Sequence, residues 1–316
     1  MTCVIGVDLG GTKTAAGVVS SSGEVLMSDT IPTLNRAGGQ AILDATAALI
    51  SGLVARAADA GHTVSGVGIG SAGVIDASAG TVVSATDAIR GWAGTALVSG
   101  LHSRLGLPVR AVNDVHAHAL GEAWLGAAAE SSSSLLVAFG TGVGGSFVLD
   151  GAALLGHRYV GGHVGHFASP LAVVDGVPLP CVCGSAGHVE AVASGPAIHE
   201  SFLRFEGSVA EATDTRGVFK LAQGTHDGGA AGTAARLAVE LGARAAGQAV
   251  GGLINILDPE TVVISGGLAD AGEPWWKPME AALRQELLAP LSAVPVVRAT
   301  LGNSAAIVGA AKLVLS

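Results

Sequence analysis

The residues best able to do chemistry fall into three groups. Cys181 and Cys183, one residue apart, stand between His166 and His188. Thiolates and imidazoles make closed zinc sites, while cysteines this close in sequence form poor structural disulfides; two buried thiols beside surface histidines is the plainer alternative. Asn113-Asp114 lies between an apolar run, Val109 to Val112, and a helical stretch, Val115 to Trp124. Either residue can simply cap that helix. Alternatively Asp114 is a carboxylate at a helix N-terminus, where the dipole favours the ionised form that a general base needs. The third group is a pair of glycine turns, Gly10-Gly11-Thr12 and Gly140-Thr141-Gly142. Successive backbone N–H groups in such turns form an anion-binding concavity. The first turn is flanked by Asp8, able to hold Mg²⁺ through water, and Lys13, with the Thr12 hydroxyl between them; an ordinary hairpin turn is the competing reading.

Two segments match Gly-x-Gly-x-x-Gly: Gly68 to Gly73 and Gly140 to Gly145. A dinucleotide site requires a helix directly after the glycines, because the helix N-terminus holds the pyrophosphate. Here a turn (Asp76 to Gly80) follows the first and a strand (Ser146 to Leu149) follows the second, so both are rejected as dinucleotide fingerprints. No P-loop motif is present.

The elements that must position these groups form a repeat. Val4 to Leu26 reads as strand, glycine turn, strand and second turn, and Leu135 to Leu154 reads the same way, with Asp150-Gly151 as its second turn. Two such hairpins, each opening one half of the chain, point to two domains of common origin. Helical spacing of Ile42, Ala45, Leu49 and Leu53 predicts a helix over Gly39 to Ala60. Further helices are expected over Thr95 to Leu105, His188 to Ala193, Gly232 to Leu257 and Ala305 to Leu315, and strands over Val67 to Gly70, Val109 to Val112 and Val262 to Ser265. The expected division is 1–112 plus 305–316 against 113–304, the second part carrying the loop-rich segment 156–190.

A chain of 316 residues, 49% hydrophobic, has enough material for two cores. The net charge of -9, without a long basic run, argues against nucleic acid or an acidic membrane as the main partner. Ser131 to Leu149 is uncharged and long enough to resemble a membrane span, but its serines and glycines fit two short strands better. Met1 leads directly into a strand with no basic region or cleavage site, so a reducing cytoplasm is expected.

Several of these segments together resemble the ROK family (repressors, open reading frames, kinases). Val7-Asp8-Leu9-Gly10-Gly11-Thr12-Lys13 is similar to its first phosphate motif, Gly140-Thr141-Gly142-Val143-Gly144-Gly145 to its second, and Ile264-Ser265-Gly266-Gly267 to its adenosine loop. Asn113 to Glu122 resembles the family's Asn-Asp-x-x-x-x-Ala-x-Gly-Glu block. The resemblance implies an α/β, two-domain actin-like ATPase (ribonuclease H-like) fold binding ATP and Mg²⁺ and phosphorylating the 6-hydroxyl of a hexose. It implies Asp114 as the base, and Asp8, Gly10, Gly11, Thr12, Lys13, Thr141, Gly142, Gly266 and Gly267 as nucleotide residues. Sugar contacts are expected at Gly73, Asn113, Asp114, His163, His166 and Glu190. A homodimer is expected from the family alone.

Cys181-Val182-Cys183-Gly184 to Glu190 also resembles the family's zinc motif, with His188 where a third cysteine is usual. The implied structural zinc ligands are His166, Cys181, Cys183 and His188. A second departure concerns the sugar. Many family kinases, glucokinases among them, carry Glu-x-Gly-His, whereas this chain has His163-Val164-Gly165-His166, as the family's bacterial N-acetylmannosamine kinases do. A neutral imidazole offers one donor and one acceptor in place of two acceptors, which places N-acetylmannosamine first and glucose second; a neutral change of His163 within a glucokinase is the competing reading. Thr86 to Trp92 falls where glucokinases show Asn-Leu-x-Gly-Trp, with Ala88 in place of the Asn. Trp275-Trp276 is read as packing or a partner surface.

Two other function classes compete. A sugar-sensing repressor of the same family would carry a helix-turn-helix before the first strand and bind DNA, which neither the opening residues nor the acidic balance favours. An actin-like ATPase acting on proteins would turn over ATP without sugar.

Overall fold

The computed structural model describes residues 1–86, 88–224 and 229–315. Its compact units are Met1–Ser133 with Ser146–Gly162 and the residues from Ala299 onward, and Ser134–Gly145 with His163–Arg298.

In the first part of the chain the elements are β1 (Thr2–Leu9), β2 (Lys13–Ser20), β3 (Val25–Pro32), α1 (Gly39–Asp59), β4 (Thr63–Ser71), β5 (Val74–Asp76), β6 (Thr81–Ser84), α2 (Leu97–Leu105), β7 (Val109–Asn113) and α3 (Asp114–Leu125). The main sheet has the order β3-β2-β1-β4-β7. β1 to β3 form an antiparallel meander, and β1, β4 and β7 run parallel. β1 is buried over Cys3 to Val7, as expected of a central strand covered on both faces. Of the described helices, α1 is long and apolar enough to cross a membrane; its Ile42, Leu43, Ile50 and Leu53 lie in the unit's core.

The chain continues through β8 (Ser133–Phe139), β9 (Val143–Leu149), β10 (Ala152–Ala153), β11 (Val173–Val174), β12 (Val177–Pro178), α4 (Glu190–Ala193), α5 (Gly195–Arg204), α6 (Thr215–Gln223), α7 (Gly229–Leu257), β13 (Thr261–Ser265), α8 (Glu273–Glu286), β14 (Val296–Arg298) and α9 (Ala305–Lys312). The second sheet has the order β10-β9-β8-β13-β14, with β13 parallel to both β8 and β14. Both sheets are thus a meander whose first strand continues into two later strands, which gives the sequence repeat a structural counterpart. The second hairpin turns at Asp150 and Gly151, both at positive φ (49° and 76°), the requirement of a two-residue type I′ turn. The uncharged stretch Ser131 to Leu149 is therefore occupied by two strands and their glycine turn.

Helix α9 returns to the first unit with its backbone against its neighbours. A Cβ at Gly6 would strike the Ile307 carbonyl, at Gly68 the Ala310 carbonyl, and at Gly309 the Ala117 carbonyl. Gly70 faces Ala117 and the Asp114 backbone. The first Gly-x-Gly-x-x-Gly is thus a packing device that admits two helices onto the sheet. This packing also draws the unit boundary later than the sequence reading at Asn113: α3 lies on α9 and β4, within the first unit.

Candidate active site

Within the first unit, the parallel strands end in register: Leu9 pairs with Ser71, and Ser71 with Asn113. Asp8, Gly73, Asn113 and Asp114 are therefore all at or just beyond the carboxyl edge of one sheet, the usual binding edge of parallel α/β sheets. Asn113 caps α3, its Oδ1 accepting the Val115 N–H at 2.9 Å, while its Nδ2 donates to the Gly73 carbonyl at 2.9 Å. The capping reading of this residue is correct, and the cap also fixes Gly73. Asp114 is the first residue of α3, and its Oδ1 also accepts the Val115 N–H at 2.9 Å. Asp8 is pushed up to about 6, chiefly by burial, then by the charge of Asp114, with Lys13 pulling the other way. Two interacting carboxylates share this edge, and Asp114 is the one placed at a helix N-terminus.

The first glycine turn is braced from outside. Thr33 Oγ1 donates to the Gly10 carbonyl and Asn35 Nδ2 to the Gly11 carbonyl, both at 2.8 Å. Gly10 N–H itself donates to the Lys13 carbonyl at 3.0 Å. Ala88 lies against this turn, since a Cβ on Gly11 would sit 3.5 Å from that of Ala88; its neighbour Asp87 is outside the described residues.

Within the second unit, a cleft of about 630 Å³ is lined by Gly140 and Thr141 of the second glycine turn and by Gly267 after β13. The sequence-predicted phosphate and adenosine loops therefore share one cavity of a size suited to a nucleotide. Gly266 plays a different part: it turns the chain at φ 85°, tightly against the Phe139 backbone, and does not line the cleft. Helix α6 forms another wall. At its start Thr215 Oγ1 donates to the Gly195 carbonyl at 2.7 Å, and Gly195 N–H donates to the Gly140 carbonyl at 2.8 Å. At its end Gln223 Nε2 donates to the Ala271 carbonyl at 3.1 Å. Arg216, Lys220 and Asp270 also line the cleft. None of these was singled out from sequence; the usable signal was Asp214, whose side chain caps α6 by accepting the Gly217 N–H at 2.8 Å.

Glu190 opens α4, is 8% exposed, and its Oε2 accepts the Val143 N–H at 2.7 Å. Nearby, the ligand atoms of His166, Cys181, Cys183 and His188 all lie within 4.8 Å of one another. His166 Nδ1 is 3.6 Å from Cys181 Sγ, and His188 Nδ1 is 3.3 Å from Cys183 Sγ. Two nitrogens and two sulfurs make a donor set that suits structural zinc. The His163 ring lies 6.3 Å from that of His166, with its residue capping the short 3-10 turn Val164–His166.

One buried carboxylate had no assigned role in the sequence reading. Glu122, 1% exposed, accepts the N–H groups of Ala127, Thr300 and Leu301, and the Thr300 hydroxyl.

The model of the ROK family matches residues 4–316. The chain belongs to the ROK family. It is 35% identical to a Streptomyces coelicolor glucokinase over 330 aligned positions, covering 99% of this chain and 98% of that one. An Escherichia coli N-acetyl-D-glucosamine kinase is 30% identical, with 98% and 99% covered. A Streptomyces griseus ROK glucokinase, solved with glucose and AMPPNP, superposes with a TM-score of 0.79 at 30% identity, covering 98% of both chains. This ROK protein thus has the two-domain actin-like ATPase fold of the family's sugar kinases, and its activity class is that of an ATP-dependent sugar kinase.

Proposed function

We propose that this ROK kinase transfers the γ-phosphoryl group of ATP to the 6-hydroxyl of a hexose, with N-acetylmannosamine as its preferred acceptor. The observation that carries the chemistry is the placing of Asp8 and Asp114, whose charges interact, at the carboxyl edge of the parallel strands of one sheet, with Asp114 at a helix N-terminus. Asp114 accepts the hydroxyl proton as the sugar oxygen bonds to the γ-phosphorus, and the bond from that phosphorus to the bridging oxygen breaks to release ADP. The base supplies about 10²–10⁴-fold; positioning and charge neutralisation supply most of the rest. Bound Mg²⁺ would neutralise phosphate charge, with Asp8 as the carboxylate offered to it. Gly10 to Lys13 in the first unit, and Thr141 and Gly142 in the second, are the proposed phosphate residues, and Gly267 is the proposed adenosine neighbour. Gly266 holds the shape of that loop.

His166, Cys181, Cys183 and His188 would hold zinc, whose part is to fix an irregular loop. Gly73, Asn113, His163, His166 and Glu190 are the proposed acceptor-side residues. His163 supports the acceptor choice, since one donor and one acceptor on its ring replace the two acceptors of a glutamate. Glucose is the second reading, favoured by the 35% identity to a glucokinase. The cytoplasm, where ATP is available, is the proposed compartment.

The deciding experiment is a coupled ATP assay over N-acetylmannosamine, N-acetylglucosamine, glucose, mannose and allose, on the native chain and on His163→Glu. The expected result is highest kcat/KM for N-acetylmannosamine and a shift towards glucose in the variant. Glucose ahead of N-acetylmannosamine in the native chain would reject the acceptor; absence of sugar-dependent ATP turnover would reject the kinase reading.

A further inference from the structure

The segment before His163 is fastened at two points within the first unit. His116, 2% exposed and two residues after Asp114 on α3, donates from Nε2 to the Gly161 carbonyl at 2.8 Å. Because a carbonyl can only accept, this bond places a proton on Nε2 of the imidazole. Tyr159 donates its hydroxyl to Ser78 Oγ at 2.9 Å, and Ser78 in turn donates to Asp76 Oδ1 at 2.8 Å. Between these fastenings the backbone is folded back tightly: Gly161 N–H donates to the Leu155 carbonyl at 2.8 Å. Gly156 and Gly162 lie at φ 77° and 86°, and Tyr159 itself at φ 60°. A tyrosine at positive φ is disfavoured and persists only where its surroundings hold it. A segment so fastened has little freedom to choose where the next residues begin.

We propose that His116 is a positioning residue that fixes the segment 155–162, the chain leading into the acceptor-recognition residue His163, on the first turn of α3 within the first unit, with Tyr159 as the second fastening. This rests on the reading of Asp114 as base and His163 as a sugar contact. The relation is direct along the chain: His116 is within one turn of Asp114, and its acceptor, Gly161, precedes His163 by two residues. A hydroxyl delivered out of register with its base reacts slowly even when both groups are intact. His116 thus controls acceptor affinity and selectivity without touching the sugar.

The test uses the full chain with His116→Ala, His116→Gln and Tyr159→Phe, the glutamine amide being able to replace the Nε2–H donor. Steady-state kinetics with N-acetylmannosamine, glucose and ATP should show acceptor KM raised at least about 10-fold in His116→Ala, ATP KM within about 2-fold of native, and the preference between the two sugars reduced. His116→Gln should recover most of the affinity, and Tyr159→Phe should show the smaller change. Hydrogen exchange of peptides covering residues 155–166 should accelerate in His116→Ala and return towards native in His116→Gln. Equal loss for both substrates, or a lower melting temperature with unchanged acceptor KM, would overturn the proposal while leaving the kinase reading intact. If the native chain phosphorylates no hexose, that reading fails on its own; unchanged exchange over 155–166 in His116→Ala overturns the fastening regardless.

Discussion

The Glu190 carboxylate accepts the Val143 backbone N–H at 2.7 Å, so a residue proposed for the sugar also holds the glycine turn proposed for phosphate. A Cβ on Gly142 would approach the same carboxylate oxygen to 2.7 Å, so the turn has no room for a larger residue. Glu190→Ala removes a charge-assisted bond worth roughly 1.5–3 kcal/mol. It should raise both the sugar KM and the ATP KM about 10-fold, whereas His163→Ala should affect the sugar alone. Separate titrations of each substrate at saturating levels of the other distinguish these outcomes.

Replacing Asp114 by Asn preserves shape and removes the proton acceptor. Turnover should fall about 10²–10⁴-fold with sugar and nucleotide binding nearly unchanged. Isothermal titration with sugar and ADP, beside the assay, checks both halves; near-native turnover excludes Asp114 as the base.

Asp8 gives stability a pH dependence of known sign. Its folded value of about 6 lies above the ordinary 3.8, so the folded chain holds this proton more tightly than the unfolded one. The associated stability is complete below about 4 and is lost as pH rises through 6. Asp8→Asn should therefore melt above the native chain at pH 7 to 8, by about 2–3 kcal/mol, with the gap closing towards pH 4. The same melting temperature at both pH values would show that Asp8 titrates normally.

The histidine-cysteine cluster should carry one zinc per chain, measured by elemental analysis of chelator-free protein. His188→Ala should lower the metal content and the melting temperature, and weaken sugar binding more than ADP binding. Full metal content in that variant would leave His188 outside the ligand set.

Glu122 satisfies three backbone N–H groups and a hydroxyl in a buried place. Glu122→Ala leaves those donors without their acceptor and should cost about 3 kcal/mol or more. Urea unfolding measures it; a loss below about 1 kcal/mol would mean that water replaces the carboxylate.

Much of the site was legible because its signals are local. The glycine turns, the Asn113-Asp114 cap and the Cys181, Cys183 and His188 group each depend on spacing within a few residues. The ligand atoms of His188, His166, Cys181 and Cys183 lie within 4.8 Å of one another. What escaped depends on contacts distant in sequence. Helix α6 is linked to the second glycine turn through Thr215 and Gly195, distant in sequence from it, so nothing near Thr141 announced Arg216 or Lys220. Helix α8 was hidden by Pro274 and Pro278, residues that usually break helices; the first sits at the helix start, where its missing N–H costs little, and the second lies inside. The boundary moved from Asn113 because α3 packs on α9, a partner far along the chain.

The backbone-to-backbone seating of α9 has a consequence for the order in which this molecule is made. The slot bordered by Gly6, Gly68 and Gly121 is filled by residues synthesised only after the whole second unit. During translation that slot stays open, and the earlier domain waits half-finished on the ribosome, with apolar strand surface uncovered. Removing residues from Ala305 onward would make that interim condition permanent, favouring capture by chaperones and precipitation over a smaller working enzyme.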